Sequence, residues 1–188
     1  MIGFTKRFVA TGFAGLLTLC TLLPAGAKTP PPPKTDNAPE MKVPHISPDT
    51  AAITIETLGG KKVTLAELTG GKPTMLVFWA SWCPDCRRET PKVKAAYARF
   101  RAKGLNLIAV DSAWKNETPS AAKKYIREHD LKYPVYFDAS QDAGKAYGLK
   151  WIPTVILLNR EGKIVFKAPH VSFKAIQSLL AEKKTGSK

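Results

Sequence analysis

An unbroken apolar run, Met75-Leu76-Val77-Phe78-Trp79, leads into Ala80-Ser81-Trp82 and then Cys83-Pro84-Asp85-Cys86. No other stretch limits the possible folds so strongly. A continuous apolar run has no polar side to turn to water, so it reads as a central strand covered on both faces. A turn follows, and a helix begins at the cysteines. Cys83 then stands at a helix N-terminus, where unpaired N–H groups and the positive end of the dipole favour a thiolate. A thiolate is the species that attacks a disulfide, and Cys86, one turn on, is placed to close a disulfide behind it. The stretch reads as a redox dithiol.

The start of the chain is not part of that fold. Lys6 and Arg7 precede an apolar run from Phe8 to Leu23, and Pro24-Ala25-Gly26-Ala27 supplies a small-residue cleavage site. Residues 1–27 therefore read as a secretory signal peptide. The run is short for a spanning helix, so an uncleaved membrane anchor comes second. Lipidation at Cys20 comes third, because Leu19 is not the small residue that such sites want. Residues 28–50 hold Pro30 to Pro33, Pro39, Pro44 and Pro48, the composition of an extended linker. Of the three cysteines, Cys20 falls in the signal peptide, leaving Cys83 and Cys86. So close a pair closes too small a loop to staple a fold, and in an oxidising compartment it reads as a working centre.

The formal charge is +14. Its lysines are scattered along helix faces and ends, with no stacking aromatics interleaved in a basic run, which argues against nucleic acid. Attraction to acidic partners or an anionic membrane surface fits the charge. A structural zinc ion needs three or four protein ligands. Beyond the signal peptide the chain offers two cysteines and His45, His129 and His170, with His45 in the linker. No cofactor or resident metal is expected, and copper binding by the cysteine pair is the most plausible metal chemistry.

Residues 51–188 read as one domain. A hairpin, Ile53 to Leu58 and Lys62 to Leu65, turns at Gly59-Gly60. A helix after Cys83 carries Val93, Ala96, Tyr97 and Phe100 inward, with a kink expected at Pro91 and an end at Gly104. Leu107 to Val110 is a strand ending at Asp111. Thr118-Pro119 opens a helix bearing Ala122, Tyr125, Ile126 and His129. Tyr133 to Phe137 is a strand, and a short helix spans Asp142 to Tyr147. Thr154 to Leu158 and Lys163 to Lys167 form a hairpin about Asn159-Arg160-Glu161-Gly162. Ser172 caps a last helix with Phe173, Ile176, Leu179 and Leu180 inside. This alternation calls for an α/β fold, a mixed sheet with helices on both faces.

Trp82-Cys83-Pro84-Asp85-Cys86, Pro91 and Ile152-Pro153-Thr154 resemble the thioredoxin superfamily. The secretory start, the N-terminal hairpin and Cys86-Arg87-Arg88-Glu89-Thr90-Pro91 resemble its TlpA/ResA-like branch of exported bacterial thiol-disulfide oxidoreductases. The resemblance implies a thioredoxin-like mixed sheet with an N-terminal β-hairpin extension. It implies Cys83 as nucleophile, the more exposed sulfur, and Cys86 as resolving thiol. It implies a cis bond between Ile152 and Pro153, with the Ile152 backbone and Trp82 lining the substrate. The buried aspartate of thioredoxins is replaced here by Val77. In the ResA-like branch a glutamate at the Glu89 position is implicated instead, and a partly buried carboxyl there can exchange a proton with Cys86. Its alternative is a surface glutamate paired with Arg87 or a lysine. Asp85 either opposes the thiolate or points to solvent and is screened. Trp79 reads as core, and Trp114 and Trp151 as rim residues.

The expected activity is extracytoplasmic (periplasmic) thiol-disulfide exchange on protein or peptide thiols. Reduction of disulfides is favoured, with a membrane electron donor to reset the site. A disulfide oxidant or isomerase is the alternative within enzymes, and a copper-delivery protein the alternative outside them.

Overall fold

The computed structural model describes residue 49 and residues 52–182. The expected signal peptide and almost all of the linker lie outside these residues. β1 (Thr54–Thr57) and β2 (Lys62–Thr64) form the expected hairpin, with Ile55 opposite Val63. α1 (Leu65–Thr69) starts from a capping box. The Thr64 hydroxyl accepts from the Glu67 N–H, and the Glu67 carboxylate accepts from the Thr64 N–H. All six residues of β3 (Thr74–Trp79) are buried, as the apolar run requires.

α2 (Pro84–Phe100) runs through Pro91 as one helix and buries Val93, Ala96 and Phe100. A 3-10 turn (Arg101–Lys103) ends at Gly104, whose φ of 95° a side chain would resist. β4 (Asn106–Ser112) extends past Asp111 because Ser112 still pairs with Asp138 of β5 (Val135–Asp138). β5 starts two residues later than the apolar pattern predicts. Pro134 has no N–H to give a ladder, and only its carbonyl is used, by Ala109 N–H at 3.1 Å. α3 (Pro119–Glu128) has the expected Thr118 cap, and α4 (Asp142–Ala146) follows β5. β6 (Thr154–Leu158) and β7 (Ile164–Ala168) form the second hairpin, and α5 (Phe173–Ala181) is capped by Ser172.

The strands form one sheet in the order β2-β1-β5-β4-β3-β6-β7. β3, β4 and β5 are parallel, and every other pairing is antiparallel. The β3-α2-β4 and β4-α3-β5 crossovers step the same way across the sheet, so one handedness puts α2 and α3 on one face. Side chains alternate accordingly. Val77, Leu107, Ala109 and Val155 pack with α2, α3 and α5, while Leu76, Phe78, Ile108 and Ile156 pack with α1 and α4. Each large apolar side chain fully buried in these layers contributes roughly 1.5–3 kcal/mol.

The register decides what meets at the end of β3. Trp79 lies beside Asp111 of parallel β4, and Phe78 lies opposite Thr154 of antiparallel β6. The end of β3, the end of β4 and the start of β6 therefore share one edge, and the cysteines sit there.

Candidate active site

Cys83 is the N-cap of α2. Its sulfur accepts the Cys86 N–H at 3.2 Å, so one of the helix's unpaired donors points at the nucleophile position. The Cys83 thiol in turn lies 3.6 Å from the Ile152 carbonyl oxygen. Cys83 and Cys86 are both free thiols. Burial pushes the Cys86 thiol far up from its ordinary range, and the neighbouring Cys83 thiol adds to the shift.

The expectation that Cys83 is the more exposed of the pair is not met, since each is 4% exposed. Trp82 and Ile152 pack against the cluster that holds both cysteines. The Ile152–Pro153 peptide bond is cis. The Trp82 indole N–H donates to the Trp114 carbonyl at 3.1 Å, and Lys115 Nζ lies 4.9 Å from the centre of the Trp82 ring. Trp79 is core, its ring tilted 46° against that of Tyr125, whereas Trp151 is 41% exposed beside the Ile152–Pro153 turn.

Glu89 is buried on the inner side of α2, as expected. One carboxylate oxygen accepts the Val171 N–H at 2.6 Å and the other lies 3.2 Å from Lys92 Nζ. The lysine partner was one of the anticipated alternatives, but Val171, in the loop before α5, was not. Asp85 is exposed and ion-paired with Arg88, one turn along the helix. An exposed, paired carboxylate is screened, which favours the solvent-facing reading over a direct effect on the thiolate.

Several residues around the dithiol escaped the sequence reading. Ser81 donates its N–H and hydroxyl to the buried Glu117 carboxylate, and its carbonyl accepts from Arg87. Asp111 is fully buried, and neither of its carboxyl oxygens has a hydrogen-bond partner among the described residues. Burial, and then the charge of Glu117, push its carboxyl up to about 9. The only sequence signal for these two was their place, at the end of an apolar strand and in the loop after it.

The Redoxin family profile matches residues 34–178. The chain belongs to the Redoxin family. This redoxin is 33% identical over 121 residues to the thiol-disulfide oxidoreductase ResA of Bacillus thuringiensis subsp. konkukian, covering 64% of this chain and 68% of that one. It is 28% identical over 160 residues to sporulation thiol-disulfide oxidoreductase A of Bacillus subtilis, covering 85% of this chain and 87% of the relative. Among solved structures, a putative thiol:disulfide interchange protein DsbE from Chlorobium tepidum superposes with a TM-score of 0.60 at 29% identity. That match covers 73% of this redoxin and all of the other chain. The fold is thioredoxin-like, and the chain is a thiol-disulfide oxidoreductase of the ResA and DsbE type.

Proposed function

We propose that this redoxin is an exported reductase of protein disulfides that works through Cys83 and Cys86. The observation that carries the reading is the Cys83 sulfur at the start of α2, accepting the Cys86 N–H, with Cys86 buried behind it. The Cys83 thiolate attacks one sulfur of a substrate disulfide. A Cys83–substrate disulfide forms, and the other substrate sulfur leaves as a thiolate and takes up a proton. Cys86 then loses its proton and attacks the Cys83 sulfur. The Cys83–Cys86 disulfide forms, the second substrate thiol departs, and two electrons have passed to the substrate. Because burial holds the Cys86 proton tightly, this second step needs a proton acceptor, and Glu89 on the same helix is the candidate. The Ile152–Pro153 turn and Trp82 flank the sulfur and form the substrate's seat.

The reducing direction is supported by the electrostatics. A dithiol becomes a strong oxidant when its reduced form is strongly stabilised. Here burial keeps Cys86 a thiol, so the reduced form gains no stabilisation from a second thiolate. A membrane electron donor resets the disulfide. Export rests on the N-terminal pattern, and an alkaline phosphatase fusion that stays inactive in bacteria would refute it. The deciding measurement is the reduction potential in a thiol-disulfide buffer. A value near about −270 mV supports a reductase, and one near about −120 mV means disulfide formation instead.

A further inference from the structure

Ser81 lies just before Trp82 and Cys83, and all its polar groups are engaged by charged side chains. The Ser81 N–H donates to Glu117 Oε2 at 2.9 Å, and its hydroxyl lies 2.9 and 2.8 Å from the two Glu117 oxygens. The Ser81 carbonyl accepts from Arg87 Nε at 3.1 Å and from a terminal guanidinium nitrogen at 2.9 Å. Glu117 is 6% exposed and reaches Ser81 from the β4–α3 loop, 36 positions along the chain. The same loop supplies the Trp114 carbonyl that holds the Trp82 indole. The turn that delivers Cys83 is therefore seated by the β4–α3 loop on one side and by Arg87 on the other.

Strand alternation puts Asp111 on the face of β4 that carries Leu107 and Ala109, the face covered by α2 and α3. It lies beside Trp79, whose indole N–H is also buried without a partner among the described residues. An apolar residue would fill that place without the cost of burying an unpaired carboxyl. Among the titratable and charged side chains on the flanking elements are Cys83, the cap of α2, then Cys86, Arg87 and Glu89 of α2, Lys115 and Glu117 of the loop, and Tyr125 of α3. Of these, Glu117 is the one whose charge acts on Asp111.

We propose that Glu117 is a positioning residue for disulfide exchange, seating the Cys83 turn through Ser81, and that Asp111 is its proton-dependent neighbour. While Asp111 keeps its proton, the Glu117 carboxylate holds the Ser81 N–H and hydroxyl without a second charge beside it. Once Asp111 ionises, two buried carboxylates repel, and the hold on Ser81 loosens. Glu117 touches neither sulfur, so its effect runs through the geometry of the turn. The inference rests on the exchange reading above.

The test follows the reaction of the reduced protein with oxidised glutathione by tryptophan fluorescence across pH. Glu117→Gln should slow the reaction roughly tenfold at neutral pH, since a small misplacement of a reacting group is costly. The wild-type rate should rise with thiolate formation and turn down above about pH 9, where Asp111 ionises. Asp111→Asn should lack that downturn, a difference that a merely structural role would not produce. If Glu117→Gln does not fold, Ser81→Ala, which removes only the hydroxyl bonds, should slow the reaction at temperatures well below its own melting transition. Superimposed wild-type and Asp111→Asn profiles overturn the inference, as do rates for Glu117→Gln or Ser81→Ala equal to wild type. In each case a reactive wild type leaves the exchange reading standing. A wild type that does not react with oxidised glutathione overturns both.

Discussion

Glu89 and Asp111 are both buried carboxyls near the dithiol, and their surroundings give them opposite effects on stability. Glu89 satisfies the Val171 N–H, tying α2 to the loop before α5. Glu89→Ala leaves that N–H buried without an acceptor, and the protein should lose roughly 1–3 kcal/mol, read from the midpoint of urea unfolding. Asp111 has no hydrogen-bond partner among the described residues. Unfolded, it loses its proton near pH 4. Folded, it keeps it to about 9. Between those values the native state binds one more proton than the unfolded chain, so stability falls as pH rises through that window. Asp111→Asn removes the penalty. Its stability margin over the wild type should be small near pH 4 and widen towards pH 9, by the order of a few kcal/mol. Parallel curves for the two proteins would mean that Asp111 does not titrate this way.

The elements carry the site by where they end. α2 is capped by the sulfur that does the proposed chemistry, so its N-terminal N–H groups serve helix and thiolate at once. α1 starts from an ordinary capping box on the opposite face of the sheet. The contrast is testable. Thr64→Ala should cost about 1 kcal/mol through the lost cap of α1, seen as a lower melting temperature. The exchange rate should stay at the wild-type value, because α1 packs in the core layer on the face of the sheet opposite the one that holds the cysteines. A fall in rate matching the fall in stability would mean that the two faces of the sheet are coupled.

For the whole molecule, the net charge, +14 and still +12 without Lys6 and Arg7 of the proposed signal peptide, matters most for encounter. Lys115 stands over Trp82 beside the dithiol, and Asp85, the acidic side chain between the two cysteines, is neutralised by Arg88. An acidic peptide disulfide should therefore react faster than a basic one of the same length at low salt. The difference should shrink as salt rises from about 0.01 M to about 1 M, because the screening length falls from roughly 30 Å to roughly 3 Å. Stopped-flow rates at several salt concentrations check this, and salt-independent rates would exclude steering.

What the sequence determined rests on interactions within a few residues or on periodicity. The apolar run is β3, the cysteines lie at the start of α2, Thr118 and Ser172 are caps, and the hairpins fall where glycine and asparagine turn the chain. These follow from local geometry and from which side chains avoid water. The tertiary structure decided the partners. Ile152 meets Cys83 across 69 positions, Glu117 meets Ser81 across 36, and Val171 meets Glu89 across 82. No local pattern encodes those meetings, because they depend on strand order and register. Equal burial of the two cysteines and the isolation of Asp111 have the same origin, since each depends on what the neighbouring strands and loops bring over the end of β3.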